Sequence, residues 1–71
     1  TSAQDYVNEH GGKLEVYERI LNFTDCASLQ NEFNQAEANL QLAAPGTAAY
    51  KWGIGYMAAA DDRMKALDCY E

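Results

Sequence analysis

The side chains here that could react or ligate are few: Cys26, Cys69, His10 and the adjacent Asp61-Asp62. Nucleophilic catalysis needs an activated serine, cysteine or threonine with a base in reach, and no Ser–His pairing is evident. Neighbouring residues on a helix point about 100° apart, so adjacency does not make Asp61 and Asp62 an acid/base dyad. Asp62 reads as a surface charge or as a partner for the neighbours of Arg63. A metal site would have to use His10, Glu9 and further carboxylates. His10 is the one histidine and stands beside two glycines, whereas zinc and related metals need three or four converging ligands. Nothing has the form of a P-loop or a dinucleotide fingerprint. We expect no catalytic residues, no metal and no cofactor, and we read the chain as a non-enzyme.

The remaining cysteine chemistry is a disulfide. An even cysteine count in a short chain favours an oxidising compartment: secreted, periplasmic or surface-displayed. The competing reading is two reduced, buried thiols in a cytosolic protein. A Cys26–Cys69 bridge would close a loop of about 44 residues, worth roughly 4 kcal/mol in the chain-entropy treatment. That rivals the whole stability expected of so small a core.

Aromatic side chains are in surplus. Tyr50, Trp52, Tyr56 and Tyr70 gather toward the C-terminus, with Tyr6 and Tyr17 in the first third. Some must build the core. Exposed aromatics near charge are typical anchors for a protein partner, so Tyr50, Trp52 and Tyr56 are the candidate partner-binding residues.

Eleven acids against five bases give a formal charge of −6. That disfavours nucleic acid and anionic membrane surfaces. No apolar run approaches membrane-spanning length, and no signal-peptide pattern is present. The chain opens at Thr1, not at methionine. We read it as the mature or excised part of a longer precursor, whose lost segment is where a signal or anchor would sit. The expected location is secreted or cell-surface.

One domain over 1–71 must position these residues. In 1–12, Ser2-x-x-Asp5 has the form of a capping box and Gly11-Gly12 is a strong stop. A short helix and a frayed terminus both fit. Over 13–23, Leu14, Tyr17 and Leu21 recur at helical spacing beside a second stripe of Val16, Ile20 and Phe23. A strand over 13–17 competes, but Arg19-Ile20-Leu21 breaks its alternation. Thr24 or Asp25 can cap the next helix, and Asn22-Phe23-Thr24 matches the N-glycosylation pattern, a common chance match.

A helix over 25–44 carries the cleanest period. Cys26, Leu29, Phe33, Ala36, Leu40 and Ala43 form a heptad seam about 27 Å long. Its other faces are rich in amides and read as a solvated surface. Ala44-Pro45-Gly46-Thr47 is a turn, short enough to make its flanking helices antiparallel neighbours. A last helix over 47–70 repeats the seam with Tyr50, Gly53, Met57, Ala60, Met64 and Leu67, while Trp52, Ile54 and Tyr56 widen its apolar surface. Gly53 and Gly55 cost a helix about 1 kcal/mol each relative to alanine, a cost that close approach of another helix would offset. The two seams bring Cys26 and Cys69 to one end of the pair. The last helix is the longer by about four residues, ~6 Å along the axis, which an irregular start to that helix can absorb.

Three segments carry a resemblance: Thr24-Asp25-Cys26-Ala27-Ser28-Leu29-Gln30, Gly55-Tyr56-Met57-Ala58-Ala59-Ala60-Asp61-Asp62-Arg63-Met64 and Asp68-Cys69-Tyr70. Together they resemble small uncharacterised proteins of actinobacteria and their bacteriophages, in which a Cys-bounded helical hairpin follows a signal or anchor segment. The likeness covers the last two-thirds of the chain and implies an exported helical module, with no activity attached.

The expected fold is all-α: an antiparallel helical hairpin plus an N-terminal helix, like a three-helix bundle, closed by Cys26–Cys69. The expected function is an exported or surface-displayed protein-interaction module, phage-derived on the resemblance. One alternative is a superinfection-exclusion or inhibitor protein at the cell envelope. Another is a structural protein that self-assembles into homo-oligomers through its seams.

Overall fold

The computed structural model describes residues 2–70, so Thr1 and Glu71, the two ends of the expected 1–71 domain, lie outside the described residues. Among the described residues the chain forms four α-helices and no strand: α1 (Ala3–His10), α2 (Leu14–Asn22), α3 (Cys26–Leu42) and α4 (Ala48–Ala66).

The N-terminal third supplies two helices, the short-helix alternative for 1–12 and the helix expected over 13–23, and local chemistry explains both. The Ser2 hydroxyl accepts from the Asp5 N–H at 3.3 Å while the Asp5 carboxylate accepts from the Ser2 N–H at 3.1 Å. These are the two halves of a capping box, and they start α1 firmly. Gly11 and Gly12 then take φ values of 79° and 94°. That left-handed excursion is open to glycine and ends the helix. Tyr6, 4% exposed, pins α1 to the core, so the frayed alternative is not what forms. Residues 13–17 are helical from Leu14 onward, not extended. Tyr17 and Ile20 are the side chains that α2 buries.

Asp25 caps α3, its carboxylate accepting from the Ser28 N–H at 2.8 Å. That bond and the Ser28 hydroxyl hold the Asp25 carboxyl below the usual carboxylate range. The far end of α3 stops at Leu42, two residues short of the expected end at Ala44. Ala43 is already extended, with ψ 142°, ahead of the residue that Pro45 bars from helical geometry. Thr47 caps α4 through its side chain, which accepts from the Tyr50 N–H at 3.3 Å.

The helix on which the other three all pack is α4. It can take neighbours on several sides because its buried residues are small: Gly53, Gly55, Ala59 and Ala60, with Met64 as the one large exception. A Cβ on Gly53 would stand 3.0 Å from Leu40 Cδ1 of α3. One on Gly55 would come far inside contact distance of the Tyr17 hydroxyl and 2.6 Å from His10 Cβ. The two glycines therefore serve different neighbours. The core is completed by Tyr6, Tyr17, Ile20 and Leu29. Of the α3 seam, Leu29 and Ala36 are buried and Phe33, Leu40 and Ala43 half-buried, while Cys26 is exposed.

Cys26 and Cys69 are joined in a disulfide, with their Cα atoms 5.7 Å apart. The length mismatch is absorbed at the end of α4 and not at its start, a correction to the helix expected over 47–70. The helix stops at Ala66. Asp68 takes φ 60°, its N–H donates to Lys65 O at 3.2 Å, and the Cys69 N–H donates to Met64 O at 2.9 Å. These bonds are a Schellman turn, which carries Cys69 back over the last turn of helix toward Cys26.

Candidate functional site

The three aromatics singled out from the sequence do not form one cluster. Trp52 and Tyr56 stand four residues apart on α4 and share a face, whereas Tyr50 is two residues from Trp52 and points elsewhere. Tyr50 is half-buried near the start of the helix. Tyr56 is committed to packing. Its hydroxyl accepts from the Lys13 N–H at 3.0 Å, and its ring lies tilted against Tyr17 with centroids 4.8 Å apart. Trp52 is the open one, 40% exposed. A Cβ on Gly11 would stand 3.0 Å from its indole Nε1, so the ring rests on the α1–α2 turn. Ile54 and Leu14 are exposed to the same degree, and Leu42 and Tyr70 more so.

A second group gathers where α1, α2 and α4 meet. The Tyr6 hydroxyl donates to Asp62 Oδ2 at 2.5 Å, and the Tyr6 and Tyr17 rings stack with centroids 5.4 Å apart. Burial, then the Asp62 carboxylate, drive the Tyr6 phenol well above its ordinary range. Burial, with Tyr56 nearby, pushes Tyr17 up to about 12. Arg63 Nε donates to the Phe23 carbonyl at 2.9 Å. Tyr6, Leu21, Asp62, Arg63 and Ala66 border a cavity of about 360 Å³.

Sequence reasoning left Asp62 as a surface charge or a partner for the neighbours of Arg63; it is exposed, and what that reasoning did not find is the pairing with Tyr6. The available signal was position: Asp62 and Arg63 follow Ala59 and Ala60 by three residues, placing both beside the most deeply buried strip of α4.

A smaller groove of about 190 Å³ runs between α2 and α3, bordered by Ile20, Glu32, Gln35 and Asn39 among others. It is bridged by Arg19 Nη2 donating to Glu32 Oε1 at 2.7 Å. Beyond the end of α4, the Tyr70 hydroxyl donates to Asp61 Oδ1 at 2.6 Å, and Lys65 pairs with the other oxygen of that carboxylate at 3.0 Å. The Tyr70 hydroxyl, then Lys65, hold Asp61 below the usual carboxylate range. His10 Nε2 lies 3.8 Å from Glu9, and among the described residues no group of three acids, cysteines or histidines could hold a metal ion. Among the described residues no helix is long and apolar enough to cross a membrane.

No protein-family model, no curated protein and no solved structure matches the chain.

Proposed function

We propose that this chain is an exported or surface-displayed protein-interaction module without enzymatic activity. In this reading α3 and α4 are an antiparallel hairpin closed by Cys26–Cys69, α1 and α2 brace α4, and the scaffold presents Trp52 to a protein partner. The observation that carries the reading is the state of Trp52. A large aromatic ring, 40% exposed, stands on α4 and against Gly11. Tryptophan is among the side chains that most often dominate the energy of a protein interface. The disulfide supports an oxidising compartment, where such bridges form and persist. The resemblance to exported actinobacterial and phage proteins supports a phage-derived origin and an envelope address.

The test is a partner screen with the purified, oxidised domain on envelope fractions, run in parallel with Trp52→Ala. The expected result is a partner whose capture falls at least about tenfold, the scale of a loss above 1.4 kcal/mol at an anchor residue. Captures that all survive Trp52→Ala would remove the proposed surface. Sedimentation over a concentration series separates this reading from self-assembly, which requires a mass that grows with concentration.

A further inference from the structure

We propose that the cavity between α1, α2 and α4 binds a free α-amino acid with an aliphatic side chain, the carboxylate on Arg63 and the ammonium on Asp62. This stands apart from the protein-interaction reading, because the cavity and Trp52 share no lining residue.

Size comes first. About 360 Å³ lies at the low end of small-molecule sites, which run from about 300 to 1,000 Å³. That suits a small metabolite.

Preorganisation comes second. Arg63 is held through Nε by the Phe23 carbonyl at 2.9 Å, and among the described residues its guanidinium makes no other hydrogen bond. The guanidinium edge left over is the planar fork that matches a carboxylate. Asp62 is held by the Tyr6 hydroxyl on Oδ2. Asp62 is exposed, and among the described residues only its Oδ2 takes a hydrogen bond, which leaves Oδ1 as an acceptor for an ammonium.

Charge decides the ligand class. A phosphate or a dicarboxylate would satisfy Arg63 but would meet Asp62 and a chain of net charge −6. A simple amine would satisfy Asp62 and be repelled by Arg63. A zwitterion brings no net charge and satisfies both groups. Successive helix residues diverge by about 100°, yet Asp62 and Arg63 border the same cavity. In the proposed complex a ligand carrying both charges on one carbon bridges the two groups. Leu21 and Ala66 supply the apolar wall, which favours an aliphatic side chain.

The test is an amide-resolved NMR titration of the whole oxidised chain with glycine, L-alanine, L-valine and L-leucine. N-acetyl-L-leucine, which lacks the ammonium, and L-leucinamide, which lacks the carboxylate, are the controls. The expected result is a saturable shift at Tyr6, Leu21, Asp62, Arg63 and Ala66, strongest for an aliphatic amino acid, with both controls weaker by at least about tenfold, or 1.4 kcal/mol. Asp62→Asn keeps a carbonyl acceptor for Tyr6 while removing the charge, so it should lose binding with the fold intact. Arg63→Lys keeps the charge but loses the fork and should weaken binding too. The proposal is overturned if none of the four amino acids gives a saturable shift, or if N-acetyl-L-leucine or L-leucinamide binds as tightly as L-leucine. Undiminished binding by Asp62→Asn would overturn it as well.

Discussion

The Cys69 N–H donates to the Met64 carbonyl at 2.9 Å, and that one bond sets where α4 ends and brings Cys69 toward its disulfide partner Cys26. It requires Asp68 to sit at φ 60°, a left-handed position that costs an L-residue roughly 1–2 kcal/mol, less for aspartate than for most. Glycine is the residue this position favours. We expect Asp68→Gly to stabilise the oxidised protein by about 0.5 kcal/mol after its own chain-entropy cost. Asp68→Val should destabilise it by more than 1 kcal/mol. Thermal melts of the two variants against wild type check both signs.

The disulfide spans 43 positions of sequence, and the core it supports rests on few large side chains: Tyr17, Ile20, Leu29 and Met64 are the largest that are fully buried. The chain-entropy treatment gives about 4 kcal/mol for a loop of that length. Reduction, or paired Cys26→Ser and Cys69→Ser substitution, should therefore lower the urea midpoint sharply and bring the domain close to unfolding at 37 °C. Urea titrations by circular dichroism with and without reductant provide the measurement. An unchanged midpoint would mean that the helices hold without the bridge.

Legibility of the sequence varied with the kind of signal. The capping box at Ser2, the Asp25 and Thr47 caps and the seams of α3 and α4 are patterns in which residue type and spacing encode the geometry directly. The Cys26–Cys69 pairing could be read because a short turn joins the two seams and brings both cysteines to their open end, to within about four residues. What could not be read was long-range and polar. Tyr6 and Asp62 are 56 positions apart, and no local period links a tyrosine in one short helix to an aspartate in another. The end of α4 was hidden because aspartate, not glycine, occupies the left-handed position. The roles of the aromatics were hidden for a related reason. Tyr56 and Trp52 lie on one face, and only the path of the α1–α2 turn across that face makes one a packing residue and leaves the other half open.

Gly53 and Gly55 look alike in sequence and should respond differently to alanine. Each substitution gains about 1 kcal/mol of helix propensity. At Gly53 the new methyl meets the tip of Leu40 at 3.0 Å, a flexible group that can move aside, so Gly53→Ala should be near neutral. At Gly55 it meets the Tyr17 hydroxyl, which is fixed by donating to Gly11 O at 2.8 Å, and His10 Cβ at 2.6 Å. Neither can retreat without lifting α1 and α2 from α4. Overpacking of this kind costs about 1–3 kcal/mol beyond the propensity gain, so Gly55→Ala should melt well below Gly53→Ala. Equal melting temperatures would contradict the close approach.

Tyr56 ties the start of α2 to α4 through one hydrogen bond, from the Lys13 N–H to its hydroxyl at 3.0 Å. Tyr56→Phe keeps the ring against Tyr17 and removes only that acceptor. The expected loss is about 1 kcal/mol, with faster amide exchange at Lys13 as the local signature. If Trp52 anchors a protein partner as proposed, the same substitution should leave that capture intact, which separates the packing aromatic from the proposed interface one.

The two buried phenols make stability fall in alkali. Tyr17 is pushed up to about 12, first by burial, and Tyr6 rises further, by burial and the adjacent Asp62 carboxylate. In the unfolded chain both ionise near about pH 10. Below that pH both states hold their protons, and the phenols contribute fully to the folded state. As pH climbs from 10 toward 12 the unfolded chain releases protons that the native state retains, so the unfolding free energy drops. Ionisation would also remove the donors of the Tyr17–Gly11 and Tyr6–Asp62 bonds. The helical signal should therefore be flat from neutral pH to about 10 and collapse above it, with ultraviolet absorbance showing two phenolates appearing together with unfolding. Tyr6→Phe removes one of the two groups, so the unfolding free energy should fall less steeply with pH above 10, although loss of the bond to Asp62 lowers stability at neutral pH. A slope unchanged by Tyr6→Phe would locate the alkaline transition elsewhere.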